Sequence, residues 1–464
     1  MSISQKIYDS SPYIIQNALL NLYSLSIHFE RYGKKFINMS EELSKTQWYR
    51  EDEIFTYQSQ KLKSLLGHAY NTVPYYRDLY KKHYIHPDDI KDISDLYKLP
   101  YITKDDVRKY GAQMISSSYN KNKLVHGHTS GTTGTPLSFY WDNKTCVLNN
   151  AVDWRQKEWA GVKYGDRIAM LLGRTVVPVS KTKPPFWQLD RFHNMLWMSS
   201  FHLSDEYLHH YLAKLKQFKP VAIEGYPSTI YILARFLKSI GEVFPVKAIF
   251  TSSETLFPIQ KSLIEQQFLA PVFDFYGMAE RVAFATQCSE SHEYHLNFEY
   301  AVNEIVDLNG NSISEGGQGY LVGTSLSNYG MPFIRYMSND ITSFYSGKCK
   351  CGRSMLRFNG ITTKDEDIVV TPDGKLISSS VLTHPFKPLE SVEESQIVQT
   401  EINKLLIKIV PGPEYKEEDT NYLRAAMQER VGELIKIDIE FVESIPRSAS
   451  GKFRWVISKV PLPI

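Results

Sequence analysis

Apolar residues change their period along this chain, and the changes predict its elements. Ile15, Leu19, Leu22 and Leu25 recur at three- and four-residue steps, which predicts an amphipathic helix over 12–29 with one apolar stripe. Gln16, Asn17, Asn21, Ser24, Ser26 and His28 interrupt it, so the run falls short of the roughly 18 to 20 apolar residues of a spanning helix. The stripe is expected to pack on the body of the protein, with peripheral contact to a membrane surface as the less favoured alternative. Residues 58–82 read as one or two helices, with Pro74 starting the second. After Leu124, β-branched and aromatic runs at 123–125, 137–141, 167–172, 222–224, 248–252 and 272–275 alternate with helical stretches at 145–159, 207–218, 229–240 and 258–268. Such alternation predicts an α/β fold of stacked βα layers. Beyond Gly277 helices thin out, and 299–306, 319–324 and 341–345 read as hairpin strands of a β subdomain, parted by the Gly-rich turn 315–319.

The charged stretch 365–367 and the turn Thr371-Pro372-Asp373-Gly374 mark a boundary. Past it the chain reads as a small α+β domain: strands at 392–399 and 404–410, a break at Pro411-Gly412-Pro413, a helix over 420–431 and a strand at 435–442. Thr420 is the expected N-cap of that helix, and Gly432 follows its end. The expected segments are therefore 1–122, 123–366 and 367–464.

Composition narrows the partners. Lys and Arg total 53 against 51 Asp and Glu among 464 residues, a net charge of +2 that supplies no broad basic field for nucleic acid. A small-molecule partner is favoured. With 30 Tyr, 23 Phe, 7 Trp and 42% hydrophobic residues the chain has material for a large core, which excludes disorder as its main state. Four cysteines are too few for a disulfide framework. The first residues lack the basic, apolar and small-residue regions of a secretory signal, so a cytoplasmic protein is expected.

The sharpest chemical feature is His126-Gly127-His128-Thr129-Ser130-Gly131-Thr132-Thr133-Gly134-Thr135-Pro136-Leu137. Glycines and hydroxyl residues at this density let backbone N–H and side-chain O–H groups converge on phosphate oxygens. It is not a Walker A loop, whose lysine and spacing are absent. Taken alone, such a stretch is more often a plain loop.

Three more motifs follow in order: Tyr276-Gly277-Met278-Ala279-Glu280, the segment Arg335 to Asp340, and Pro446-Arg447-Ser448-Ala449-Ser450-Gly451-Lys452. With the hydroxyl loop, they give the chain its resemblance to the adenylate-forming enzymes, the acyl-CoA synthetases and their relatives. The stretches LLGHAYNTVPYYR (65–77), LPYITKDDVR (99–108), Gly225-Tyr226-Pro227-Ser228 and GKFRWVIS (451–458) make it similar to their phenylacetate-CoA ligase and CapK-like branch. The resemblance implies a helical opening segment, a nucleotide- and substrate-binding core, and a mobile C-terminal domain carrying a catalytic lysine. It implies ATP binding by Thr129, Ser130, Gly131, Thr132, Thr133 and Gly134, and an adenine slot lined by Ser253, Glu254, Asp274, Phe275, Tyr276 and Gly277, of which Phe275 serves equally well as core. Asp340 would offer two acceptors to the ribose hydroxyls. Glu280 would hold Mg²⁺, a hard cation that favours carboxylate oxygen, and Lys452 would stabilise charge on the α-phosphate. The family's hinge reads Gly-Arg-x-x-Asp, whereas this chain has Thr363-Lys364-Asp365-Glu366-Asp367. The exchange of Arg for Lys364 removes bidentate geometry toward the nucleotide, and Asp367 is the expected hinge.

Cys288, His295, Cys349 and Cys351 form a candidate Cys₃His zinc site of the closed, structural type, with buried reduced cysteines as the alternative. Cys146 reads as a small core residue. Arg155, Trp187, Arg191, His193, Glu224 and Tyr226 are candidates for the acyl pocket. Trp187 and Tyr226 read equally well as core, and a solvated helix charge is the favoured reading of Arg155 and Arg191.

The implied reaction is ATP-dependent activation of a carboxylate as acyl-AMP, followed by transfer to an amine, hydroxyl or thiol acceptor. Glu30-Arg31-Tyr32-Gly33-Lys34-Lys35-Phe36 and the ending GKFRWVISKV look closer to the CapK-like members, associated with surface polysaccharide synthesis, than to the aryl- or acyl-CoA ligases that use coenzyme A. A nucleotide-binding scaffold without catalysis is the alternative from another class. Lys452 and Glu280 argue against it.

Overall fold

The computed structural model describes residues 8, 11–128, 137–173, 176–178, 181–307, 309–313, 316–361, 363–364, 368–373, 376–378, 382, 384–386, 389, 391–447 and 453–460. They fall into two compact units, Met1–Ser338 with Ser343–Gly360, and Asn339–Thr342 with Ile361–Ile464.

The first unit opens with helices α1 (Tyr13–Arg31), α2 (Lys34–Thr46), α3 (Glu51–Thr72) and α4 (Pro74–Lys82). Pro74 occupies the first turn of α4, where its missing N–H would have had no helical partner. Helix α1 reverses the expected burial. Ile15, Leu19 and Leu22 are exposed while Gln16 and Ser24 are buried. The physical reason is the surface it meets: Asn17 and Asn21 donate to Leu189 O, at 3.2 and 2.8 Å, so hydrogen bonding to a strand fixes which side faces inward. No described helix is long and apolar enough to cross a membrane.

Helix α5 (Lys104–Tyr110) leads to the antiparallel hairpin of β1 (Val125–His128) and β2 (Ser138–Trp141). Leu62, Leu66, Tyr76 and Ile102 share one core with Leu137, Phe139, Phe333 and Tyr336, so the opening helices support this hairpin. Helix α6 (Asn143–Trp159) begins two residues before the expected Thr145, because Asp142 Oδ1 caps it by accepting from Thr145 N at 2.8 Å.

The α/β expectation holds. Strands β3 (Ile168–Leu171), β4 (Trp187–Asp190), β5 (Met195–Met198), β6 (Ala222–Gly225), β7 (Ala248–Ser252), β8 (Val272–Gly277), β9 (Phe284–Cys288) and β10 (Ser291–Leu296) lie in one sheet, with α7 (Asp205–Phe218), α8 (Pro227–Ser239) and α9 (Pro258–Phe268) between them in the chain. Neighbours run β8-β7-β6-β3-β5 in parallel. Antiparallel β4 and β9 flank this block. Alternation sorts the buried side chains: Ala169, Leu171, Ile223 and Ile249 join α7, α8 and α9, whereas Ile168, Met170, Ala222 and Phe250 join α2 and α6. Cys146 is buried, as expected.

Strands β11 (Ala301–Val306), β12 (Gly319–Ser325) and β13 (Tyr336–Thr342) form the β layer after the main sheet. Short strands β14 (Phe344–Tyr345) and β15 (Arg357–Phe358) extend the main sheet beyond β10. Within the second unit, the end of β13 pairs with β16 (Thr363–Lys364). There β17 (Ile368–Val370) and β18 (Leu376–Ser378) make a hairpin. A sheet in the order β21-β20-β19-β22 follows, from β19 (Val392–Glu401), β20 (Lys404–Pro411), β21 (Lys436–Phe441) and β22 (Val456–Ser458). Helix α10 (Glu417–Val431) starts before the expected cap Thr420. Glu417, Glu418 and Asp419 fill its first turn, where acids favour the helix dipole, and Asp419 Oδ2 accepts from Lys416 N at 3.1 Å. Thr420 Oγ1 instead meets Tyr415 Oη at 2.9 Å.

Arg155 is neither a solvated charge nor free for a ligand. It is 3% exposed, and its Nη1 and Nη2 donate to Glu299 Oε1 and Oε2 at 2.8 and 3.0 Å. Nη2 also donates to Asn297 Oδ1, and Nη1 to Leu43 O. A buried, fully hydrogen-bonded pair of this kind is costly to break from one side. Arg155→Met is expected to lower stability by about 3 to 5 kcal/mol, and Arg155→Met/Glu299→Leu to recover most of it. Urea unfolding midpoints check this, and an unchanged midpoint in the single variant would contradict it.

Candidate active site

The hairpin β1–β2 presents the hydroxyl loop. His128 pairs with Ser138 at its loop end, and residues 129–136, which include Thr129, Ser130, Gly131, Thr132, Thr133 and Gly134, lie outside the described residues. A Cβ on Gly127 would strike the Trp141 and Phe139 rings, so close ring packing demands glycine there. The Arg281 guanidinium lies over the Trp141 ring at 4.0 Å, and its Nη1 donates to Thr145 O at 3.1 Å. Arg281 itself sits at φ +59, a left-handed backbone uncommon outside glycine. These contacts bring the turn after β8 against the hairpin.

Glu280 sits on that turn. It is buried, and Tyr336 Oη donates to its Oε1 at 2.7 Å. Tyr336 opens β13 just after Arg335, whose Nη2 donates to Glu304 Oε1 at 3.0 Å and whose Nη1 donates to Leu99 O at 2.6 Å. The clamp on Glu280 is therefore anchored by a second ion pair. Four residues on, in the second unit, Asp340 pairs in register with Lys364 of β16. Asp367 and Lys452 lie outside the described residues.

The adenine-slot candidates separate. Ser253 (exposed, φ +69), Tyr276 and Gly277 follow or end β7 and β8 at their carboxyl ends, the edge where open α/β sheets take ligands. Glu254 is close by, its Oε2 accepting from Ser228 N at the start of α8 at 3.1 Å. Phe275 stacks on Phe284 with an interplanar angle of 2° and packs against the α2–α6 core. Asp274 is turned into the sheet: Thr251 Oγ1 and Tyr294 Oη donate to its two oxygens at 2.5 Å each. Burial pushes its carboxyl up to about 7, against the lowering effect of those two donors.

The cysteines and histidine converge. The ligand atoms of Cys288, His295, Cys349 and Cys351 all lie within 4.8 Å of one another. Cys288 Sγ is 3.6 Å from Cys349 Sγ, and Cys351 Sγ is 3.7 Å from His295 Nε2. A tetrahedron with Zn–S bonds of about 2.3 Å has edges of about 3.8 Å, so the donor set and spacing fit zinc. Burial, with Arg357 and Arg353 adding to it, pushes His295 down to about 4, leaving the neutral imidazole that ligates metals.

The CapK C-terminal domain family matches residues 369–459. Protein CapK of Staphylococcus aureus is 27% identical over 98% of this chain and 99% of its own length. Phenylacetate-coenzyme A ligase of Aromatoleum evansii is 25% identical over 89% of this chain and 96% of its own. Over most of its length this chain is similar to CapK and to the phenylacetate-coenzyme A ligases. A structure of 2-hydroxyisobutyryl-CoA ligase in the postadenylation state, in complex with R3-HIB-AMP, shares the fold with a TM-score of 0.69 at 21% identity, covering 89% of this chain and 91% of the other.

In this CapK-like chain the six acyl-pocket candidates do not share one wall. Tyr226 follows the carboxyl end of β6 at the candidate site. Glu224 is buried on β6 and paired with Lys157 at 2.9 Å, and Lys157 also holds Asp153 at 2.6 Å. Burial opposes the Lys157 charge, but the two carboxylates outweigh it and raise its pKa. Trp187 lies on β4, separated from β6 by β5 and β3, and packs against the α7–α8 core. His193 Nδ1 is 2.8 Å from Asp190 Oδ2, and the exposed Arg191 is held through its backbone N–H by Asn21 Oδ1. Arg155 belongs to the ion pair described above.

Sequence reasoning missed Tyr336, Thr251, Tyr294 and Lys157. The i, i+4 spacing of Asp153 and Lys157 reads as a surface pair, and nothing local marks it as buried. Asp274 gives a pH test. Its folded pKa lies above the unfolded one, so its stabilising protonation is fully present below about pH 4 and is lost as pH rises to about 7. The urea midpoint is expected to fall over that window, and Asp274→Asn to flatten the fall. An equal slope in the variant would contradict the assignment.

Proposed function

We propose that this protein is an AMP-forming ligase that activates a carboxylic acid with ATP and passes the acyl group to an acceptor in cell-surface polysaccharide assembly. The observation that carries the reading is Glu280, clamped by Tyr336 on a turn whose next residue, Arg281, stacks on Trp141 of the hairpin that leads into and out of the hydroxyl loop. In the first step a carboxylate oxygen of the acid bonds to the α-phosphorus of ATP. The bond from that phosphorus to the bridging oxygen breaks, and pyrophosphate leaves with the electron pair. In the second, an amine, hydroxyl or thiol attacks the acyl carbon, loses its proton and expels AMP.

The chain's own groups divide this work. Donors of Thr129 to Gly134 hold phosphate oxygens, Asp340 accepts from the ribose hydroxyls, and Ser253, Glu254, Tyr276 and Gly277 bound the adenine. Lys452 places a positive charge where negative charge develops on the α-phosphate, with Asp367 as hinge. Glu280 is the residue that would hold Mg²⁺, which when bound neutralises phosphate charge. Phenylacetate-coenzyme A ligase relatives favour coenzyme A as a second candidate acceptor. ATP use and the free cysteines support a cytoplasmic location.

Exchange of labelled pyrophosphate into ATP, screened with uronic, amino, hydroxy and aryl acids, is expected to find an active acid. Lys452→Ala should lower that exchange by about 10²- to 10³-fold, and undiminished exchange would overturn its catalytic role. Release of AMP from the preformed adenylate only when coenzyme A is added would identify a CoA ligase instead of an amide- or ester-forming enzyme.

We further propose that Cys288, His295, Cys349 and Cys351 hold one structural Zn²⁺. Protein purified without added metal should contain about one equivalent and Cys349→Ser much less, with a lower melting temperature. Less than about half an equivalent in the unmodified protein would count against the site.

A further inference from the structure

Helix α1 holds the protein by its polar side. Asn17 Nδ2 donates to Gln188 Oε1 at 2.9 Å, Asn21 Nδ2 donates to Leu189 O at 2.8 Å, and Arg191 N donates to Asn21 Oδ1 at 2.9 Å. Gln16 and Ser24 are buried with them. Facing away are Ile14 at 79% exposure, Leu22 at 65% and Phe29 at 76%, with Ile15, Leu19 and Tyr23 also exposed. At about 100° per residue these positions fall on one half of the helix circumference, so they form one broad apolar stripe along most of the helix. A globular helix ordinarily turns such a stripe inward, and an exposed one marks a surface that binds something.

The charges nearby select the partner. From Tyr13 to Phe29 the helix contains no Asp, Glu, Lys or Arg. Exposed Lys34 and Lys35 begin the next helix, and exposed Arg191 and Phe192 occupy the turn held by Asn21. Glu30, which follows Phe29 in the chain, lies 3.8 Å from Arg31, and Asp190, beside Arg191, is buried. An uncharged apolar stripe with cationic and aromatic neighbours matches the interfacial region of an anionic bilayer. A second copy of the chain packed on the same stripe would instead gather two sets of these cations at one interface.

We propose that α1 lies flat on an anionic membrane surface, its stripe at the boundary of headgroups and acyl chains and Lys34, Lys35 and Arg191 attracted by headgroup phosphates. The helix rests on the bilayer without crossing it. This surface is separate from the candidate active site, so it stands or falls independently of the ligase reading.

The test is flotation of the full chain with vesicles of phosphatidylcholine alone or with about one third phosphatidylglycerol. Binding is expected to the anionic vesicles and to weaken with salt. Leu22→Glu/Phe29→Glu changes two exposed positions, so its melting temperature should be unchanged while the bound fraction falls roughly tenfold or more. Lys34→Glu/Lys35→Glu leaves the stripe intact and should weaken binding by roughly tenfold. Absence of binding to anionic vesicles, or binding that the Leu22/Phe29 variant does not reduce, would overturn the proposal. So would a dimer in light scattering that the same variant converts to monomer, since a second copy would then cover the stripe.

Discussion

Arg155 fixes the frame on which the first unit is built. Its guanidinium joins α6, the end of α2 through Leu43 O, and the segment before β11 through Asn297 and Glu299. Thr46 Oγ1 adds a hydrogen bond to Glu299 Oε1 at 2.5 Å. Helix α6 follows the hairpin of the hydroxyl loop, so holding α6 against this segment also places that hairpin. One turn further along α6, Trp159 Nε1 donates to Gln47 Oε1 at 2.8 Å, and Arg353 from the cysteine loop stacks on the Trp159 ring at 3.9 Å. The cysteine cluster and the hairpin β1–β2 thus meet opposite ends of one helix. Burial makes these contacts strong, because an ion pair without water has no competing solvent partner and no tolerance for a missing member.

A similar device works at the candidate active site. Glu280 is positioned by Tyr336, Tyr336 by its place after Arg335, and Arg335 by Glu304 and the Leu99 carbonyl. The strained backbone at Ser253 and Arg281 lies on the turns after β7 and β8, where packing compensates its cost and the carboxyl ends of parallel strands meet solvent. Rigid neighbours let a few loop residues hold a defined geometry.

Much of the fold was legible because local pattern and tertiary role agreed. The helix Pro258–Phe268 and the strand Ala248–Ser252 match their sequence-based bounds, since Pro at the first turn and an unbroken buried β run carry their own signals. Strands β4 and β5 were missed: each is four residues long, too short to show a period, and pairing within the sheet supplies their order. The cysteine cluster is legible from residue type, whereas nothing local to Asp274 shows that Thr251 and Tyr294 donate to its carboxyl.

The sequence by itself determined the order of βα layers, the succession of chemical motifs and the set of candidate metal ligands, because periodicity, turn residues and side-chain chemistry are local properties. Tertiary structure alone decided which polar groups are buried against one another. Arg155 and Lys157 share a helix with surface-like charge spacing, yet Glu299 and Glu224 bury them both. Helix α1 makes the same point in reverse: its Ile15, Leu19 and Leu22 stripe is plain in the sequence, but the direction it faces was set by the asparagine contacts that Leu189 and Gln188 of β4 offered.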